Sequence, residues 1–173
     1  KIPATVFVVA GSLGRPLWDK EDPETSRLLD EQELVMLHNM GISIGAHGMT
    51  HRRLAALTTQ EQEREIKDSV NTLTKILKTP VREFAYPFGT AADYTQETIR
   101  LVAQTTCVVA VSNRYGVNPE GSDVLNLMRI PIDATDTIRL FKAKVQGKLD
   151  ALRFLETSWA LKARRFLNAL VRA

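Results

Sequence analysis

Two histidines four positions apart, in Gly45-Ala46-His47-Gly48-Met49-Thr50-His51, are the residues of this chain best suited to hold a metal. A neutral imidazole offers one lone pair, and this spacing can bring two of them to one side of a turn. Spacing alone does not separate that reading from two surface histidines. Gly48 and the strand-like Ile42-Ser43-Ile44 ahead of it point to a turn rather than a helix. Position adds weight, because βα folds gather functional groups at the carboxyl ends of strands. A second run, Phe84-Ala85-Tyr86-Pro87-Phe88-Gly89, has the same setting. The plainer reading is a strand end with aromatics packed on the core, then a Pro/Gly turn. The chemical reading is a rigid loop that holds a backbone N–H towards a reacting carbonyl, with aromatics walling a sugar ring.

The elements that must position these runs alternate. Ala4 to Ala10 is a β-rich run closed by Gly11, and residues 12 to 29 are irregular. Asp30 with Glu33 makes a capping-box pattern that opens a helix through Leu34, Leu37 and Met40, ended by Gly41. Thr58 with Glu61 repeats the pattern, and Ile66, Val70, Leu73 and Leu77 then recur on one helical face as far as Pro80. Glu83 to Tyr86 predicts a third strand. A helix through Ile99 and Val102 leads to a strand at Cys107 to Val111, and Met128-Arg129-Ile130 suggests one more. Strands alternating with helices imply βα units around a parallel sheet or barrel. From about Asp136 the chain reads as helical, broken near Gly147.

Composition sets outer bounds. The 173 residues suffice for one domain, and 44% hydrophobic with 25% charged residues is ordinary for a globular chain. The net charge of +3 is uneven. Eight Lys or Arg in residues 142 to 173, against Asp150 and Glu156, give that segment +6 and leave −3 on the rest. Cys107 is the lone cysteine, which excludes an internal disulfide and a four-cysteine zinc site; in an apolar run it reads as a buried structural thiol.

Together and in this order, the motifs resemble the polysaccharide deacetylase family (carbohydrate esterase family 4, the NodB-like domain). The likeness covers roughly residues 1 to 130. Lys1 to Val9 looks like the second strand of that fold, Gly41 to His47 with His51 like its His-containing metal motif, and Phe84 to Gly89 like a Phe-Ala-Tyr-Pro variant of the next motif. The resemblance implies an α/β fold, a distorted (β/α) barrel that is here incomplete at its N-terminus. It divides the chain into a partial catalytic domain, 1–135, and a basic, largely helical segment, 136–173. It implies metal-dependent removal of acetyl groups, N-acetyl more often than O-acetyl, from a polysaccharide. His47 and His51 would bind a divalent metal, Zn2+ by preference, together with an aspartate. The Phe88 backbone N–H would stabilise the oxyanion, and Tyr86 and Phe88 would line the sugar groove.

Several departures qualify the likeness. The family's paired aspartates belong to a first strand that would precede Lys1, so the general base and acid are expected upstream and the chain reads as part of a longer enzyme. Gly48 replaces a Ser or Thr, Ala85 stands where many members have an Arg, and no histidine follows His51, which leaves only His38 as a visible alternative acid. A non-catalytic remnant of the fold, serving as a carbohydrate-binding or assembly module, is the rival reading. Another metal-dependent hydrolase on a (β/α) barrel is the second. Residues 136–172 read first as a helix packing its apolar side on the barrel with the basic residues in solvent; as a basic amphipathic segment, 142–173 could instead meet an anionic membrane or an acidic polysaccharide. Nucleic acid is not an expected partner, since no recognised module accompanies the charge. The family's substrates favour an envelope or extracytoplasmic location, with the cytoplasmic side of exopolysaccharide assembly as the alternative.

Overall fold

The computed structural model describes residues 2–16 and 27–148. Five strands form one parallel sheet in the order β1 (Thr5–Val8), β2 (Ser43–Ala46), β3 (Glu83–Ala85), β4 (Val109–Tyr115) and β5 (Leu127–Arg129). Strand order follows chain order without a reversal. A right-handed crossover repeated in this way keeps its helices on one side and sweeps out an arc of the kind that closes into a barrel. The crossovers carry α1 (Glu31–Asn39), α2 (Thr59–Leu77) and α3 (Gln96–Ala103), with α1 packed on α2 and α2 on α3. A last helix, α4 (Ile138–Val145), follows β5. The chain is therefore α/β with a parallel sheet, as expected.

Local sequence explains the helices. Asp30 accepts the Glu33 N–H while the Glu33 side chain accepts the Asp30 N–H. Thr58 and Glu61 repeat that reciprocal pair at the start of α2. Gly41, at φ 82°, closes α1 through Gly41 N–H to His38 O and Ile42 N–H to Leu37 O, a Schellman arrangement. The predicted stripe of α2 is buried at Ile66, Val70 and Leu73 and meets Leu34, Ile44, Phe84 and Val102 in one core. Each such aliphatic side chain contributes roughly 1.5–3 kcal/mol over exposure.

Two strand boundaries differ from expectation, and both for tertiary reasons. β1 stops at Val8 because the Ala10 and Gly11 N–H groups donate to Gly48 O and Met49 O, in the loop that carries the histidines. Cys107 precedes β4, because the Thr105 hydroxyl accepts its N–H and Thr106 donates to Val81 O, holding a turn there. The thiol is nevertheless buried. No residue of α4 is buried, and Ile138, Phe141 and Val145 are exposed. The remainder of the expected basic segment, from Leu149 on, lies outside the described residues, as do residues 17–26 of the expected irregular stretch.

Candidate functional site

His47 follows β2 directly, on a turn that three neighbours pin. Its own N–H donates to Val8 O, the β1 end takes Gly48 O and Met49 O as above, and α2 contributes Glu65. The Glu65 carboxylate is only 7% exposed. It accepts the Met49 and Thr50 N–H groups at 3.0 and 2.9 Å and the Thr50 hydroxyl at 2.5 Å. Gly48 has φ 78°, and a Cβ there would lie 3.2 Å from a Glu65 oxygen, so a larger residue would strain both backbone and contact. That accounts for glycine where family members commonly have Ser or Thr.

The turn brings the two imidazoles together, with ring centroids 4.9 Å apart. His47 Nδ1 lies 2.7 Å from Ala85 O. A carbonyl can only accept, so in the neutral ring Nδ1 carries the proton and Nε2 keeps its lone pair. Burial pulls the His47 pKa down to about 4, with smaller contributions from charge at His51 and Arg129, against the Ala85 hydrogen bond that raises it. Burial also lowers that of His51. Both rings are thus ready as neutral ligands at physiological pH. Arg129, at the end of β5, crosses β4 by donating from Nε to Ser112 O at 2.6 Å, and burial lowers its pKa.

Phe88 faces the histidines from the β3–α3 loop, with its ring centroid 4.7 Å from that of His51. It holds φ 60°, and Gly89 N–H donates to Pro87 O across it, a γ-turn around a non-glycine residue. His51 has φ 59° as well. Such conformations cost about 1–3 kcal/mol each and persist where surroundings over-determine them. The Phe88 N–H donates to no described residue, and its ring is 40% exposed.

The structure corrects Tyr86. It is 1% exposed, stacks on Tyr94 with centroids 4.2 Å apart, and donates its hydroxyl to Leu125 O at 2.7 Å. Alternation along β3 turns it into the core beside Phe84, so it does not line a groove. His38 lies at the opposite, amino end of the sheet, near Ser43 and Glu83, with Nε2 3.2 Å from the Thr79 hydroxyl. It cannot serve this site as an acid. Sequence reading missed Glu65, Arg53 and Asp93. The available signal was polar Gln62, Glu65 and Ser69 on the inward arc of α2.

Among the described residues no group of three His, Cys, Asp or Glu could hold a metal. The donor set fits a divalent ion as far as it goes: two neutral imidazoles, their turn anchored by a buried carboxylate that is already fully engaged. A cleft of about 280 Å³ reaches the pair, walled by consecutive Val6, Phe7, Val8 and Val9 with Leu13. Consecutive strand residues point to opposite faces, so the cleft runs along the β1 edge that no described strand pairs.

The sequence model for polysaccharide deacetylases matches residues 1–108. The chain belongs to the polysaccharide deacetylase family. YxkH of Bacillus subtilis (strain 168), provisionally named a polysaccharide deacetylase, is 25% identical over 144 residues, 83% of this chain and 47% of that protein. The solved polysaccharide deacetylase BC0361 from Bacillus cereus is 25% identical with TM-score 0.66, over 84% of this chain and 42% of the other. The Streptococcus pyogenes deacetylase PplD, solved with acetate, shares the fold at TM-score 0.68 and 23% identity, over 82% of this chain and 58% of the other. The chain thus spans about half the length of these family members.

Proposed function

We propose that this chain forms part of a metal-dependent deacetylase acting on N-acetyl groups of a polysaccharide. The observation that carries the reading is the pair of neutral imidazoles, His47 and His51, held 4.9 Å apart on a pinned turn at the carboxyl end of a family fold. Both rings would hold a divalent ion, zinc by preference. Catalytic zinc sites built wholly of protein ligands use three, so a carboxylate must join them from outside the described residues. The β1 edge is the place for it: a further strand paired there would run along the cleft and end beside the rings. When bound, the metal supplies Lewis acidity at the acetyl carbonyl and makes water at the site more acidic.

The chain's own residues do the remainder. Ala85 O fixes the His47 tautomer, and Glu65 fixes the turn between the ligands. The unengaged Phe88 N–H is the donor offered to the oxygen of the developing tetrahedral centre, and the half-exposed Phe88 ring gives a sugar an apolar face. Tyr86 supports this loop from beneath. The general base and acid, like the third ligand, would come from outside the described residues, because the histidines at the site would be engaged as ligands. A glycan of the cell envelope is the substrate that suits the family, which would put the protein outside the cytoplasm.

The test is deacetylation of an N-acetylated oligosaccharide, beside an O-acetylated one, by the complete protein. Zinc content and acetate release should both be lost in His47→Ala and in His51→Ala and on chelation, and the N-acetyl substrate should be preferred. Full activity in either variant would remove the metal reading. Zinc retention with no turnover on any acetylated glycan would favour a non-catalytic carbohydrate-binding role.

A further inference from the structure

Arg53 is outside the donor set, yet it touches the site in three ways. Its guanidinium carbon lies 4.1 Å from the centroid of the Phe88 ring. It is ion-paired with Asp93, which is 1% exposed. Through Asp93 it reaches the backbone around Phe88: the other carboxylate oxygen accepts the Thr90 N–H at 2.9 Å and the Thr90 hydroxyl at 2.5 Å. Asp93 O also accepts the Ala55 N–H at 2.9 Å. One buried carboxylate therefore ties the loop after His51 to the loop carrying Phe88.

The chemistry narrows what this cluster is for. A carboxylate this buried needs its hydrogen bonds and a cation, and Arg53 is the cation paired with it among the described residues. Phe88 lies against the Arg53 guanidinium and the His51 ring, and its backbone holds a left-handed γ-turn. A strained turn stays put only if its surroundings leave it no easier conformation. A planar guanidinium laid on an aromatic ring restrains that ring in a way a point charge cannot.

We propose that Arg53, fixed by Asp93, is a positioning residue that clamps Phe88 against His51 and so holds the turn whose N–H meets the acetyl oxygen. This rests on the deacetylase reading above for its consequence, though not for its geometry. Arg53 contacts neither metal nor substrate in this account; it acts through Phe88. A simple tie between two loops would be satisfied by any cation on Asp93, whereas a clamp needs the flat face of arginine.

The experiment compares wild type, Arg53→Gln and Arg53→Lys in the complete, zinc-loaded protein, with kcat and KM measured on an N-acetylated oligosaccharide. In the metal-free protein, the His51 ring proton shifts are read by NMR at one fixed pH, with Phe88→Ala as the reference for a lost ring current. Arg53→Gln should lower kcat on the order of 10²-fold with little change in KM, and should move the His51 shifts towards the Phe88→Ala values. Arg53→Lys should recover folding stability through Asp93 but not kcat. Wild-type kcat in Arg53→Lys, or His51 shifts unmoved in both variants, would overturn the clamp. Should Arg53→Gln fail to fold, Arg53→Lys decides alone. A wild-type protein that deacetylates nothing would end the enzymatic reading, and the His51 shifts would still decide the clamp.

Discussion

Glu65 shows how a site residue can act without touching its ligand. Its carboxylate collects two backbone N–H groups and one hydroxyl from the turn between His47 and His51. Glu65→Gln leaves an amide oxygen for the two N–H groups but removes the charge that strengthens those bonds and reverses the one to the Thr50 hydroxyl, so the turn should loosen. Partners that orient metal ligands typically matter by 10–100-fold in affinity, so zinc binding should weaken by about that much. Calorimetric zinc titration checks this, and unchanged affinity would mean the turn holds itself. Cys107 offers a second prediction at the same scale. Burial raises its pKa, so the thiolate fraction falls at any pH below that value. The native thiol should react far more slowly with a disulfide reagent at mildly alkaline pH than the denatured chain does; equal rates would contradict the burial. The histidine pair was legible in sequence because both histidines fall within one turn. Glu65 and Asp93 were not, since their partners arrive from other loops and only the fold brings them near.

The helices were the most legible elements, because a capping box or a Schellman end is written within a few residues. Thr58→Ala should cost about 1 kcal/mol of stability by removing the α2 cap. Leu73→Ala, at the core of the same helix, should cost roughly 2–5 kcal/mol. Urea unfolding separates the two, and a smaller loss at Leu73 than at Thr58 would contradict the packing of α2. Strand ends were harder to read. Val9 and Ala10 look like strand, yet the Ala10 N–H serves the histidine loop, and apolar Cys107 and Val108 precede β4 rather than enter it. Tyr86 was misjudged for a related reason. An aromatic at a strand end looks the same in sequence whether it faces a groove or the core, and only its stacking on Tyr94 decides.

At the scale of the whole molecule, two features stand out among the described residues. Basic residues gather in the C-terminal segment, and α4 exposes Ile138, Phe141 and Val145 beside Arg139 and Lys142. If that segment meets an anionic surface, the chain should sediment with anionic vesicles at low salt and be released at high salt. No sedimentation at low salt would end that expectation. The β1 edge is the other feature, and it matters more, because the cleft along it leads to the two imidazoles. Fold class was legible from the alternation of strands and helices, and so was an open strand edge; that β1 is the edge no described strand pairs became visible only with the strand order.

All of the chemistry proposed for this chain passes through one ion shared by His47 and His51. Zinc-edge X-ray absorption on the complete, zinc-loaded protein tests that claim most directly. Two imidazole nitrogens at about 2.0 Å, joined by oxygen ligands, are expected, and His51→Ala should hold no zinc that gives this signal. A zinc shell without imidazole, or one unchanged by that substitution, would contradict it.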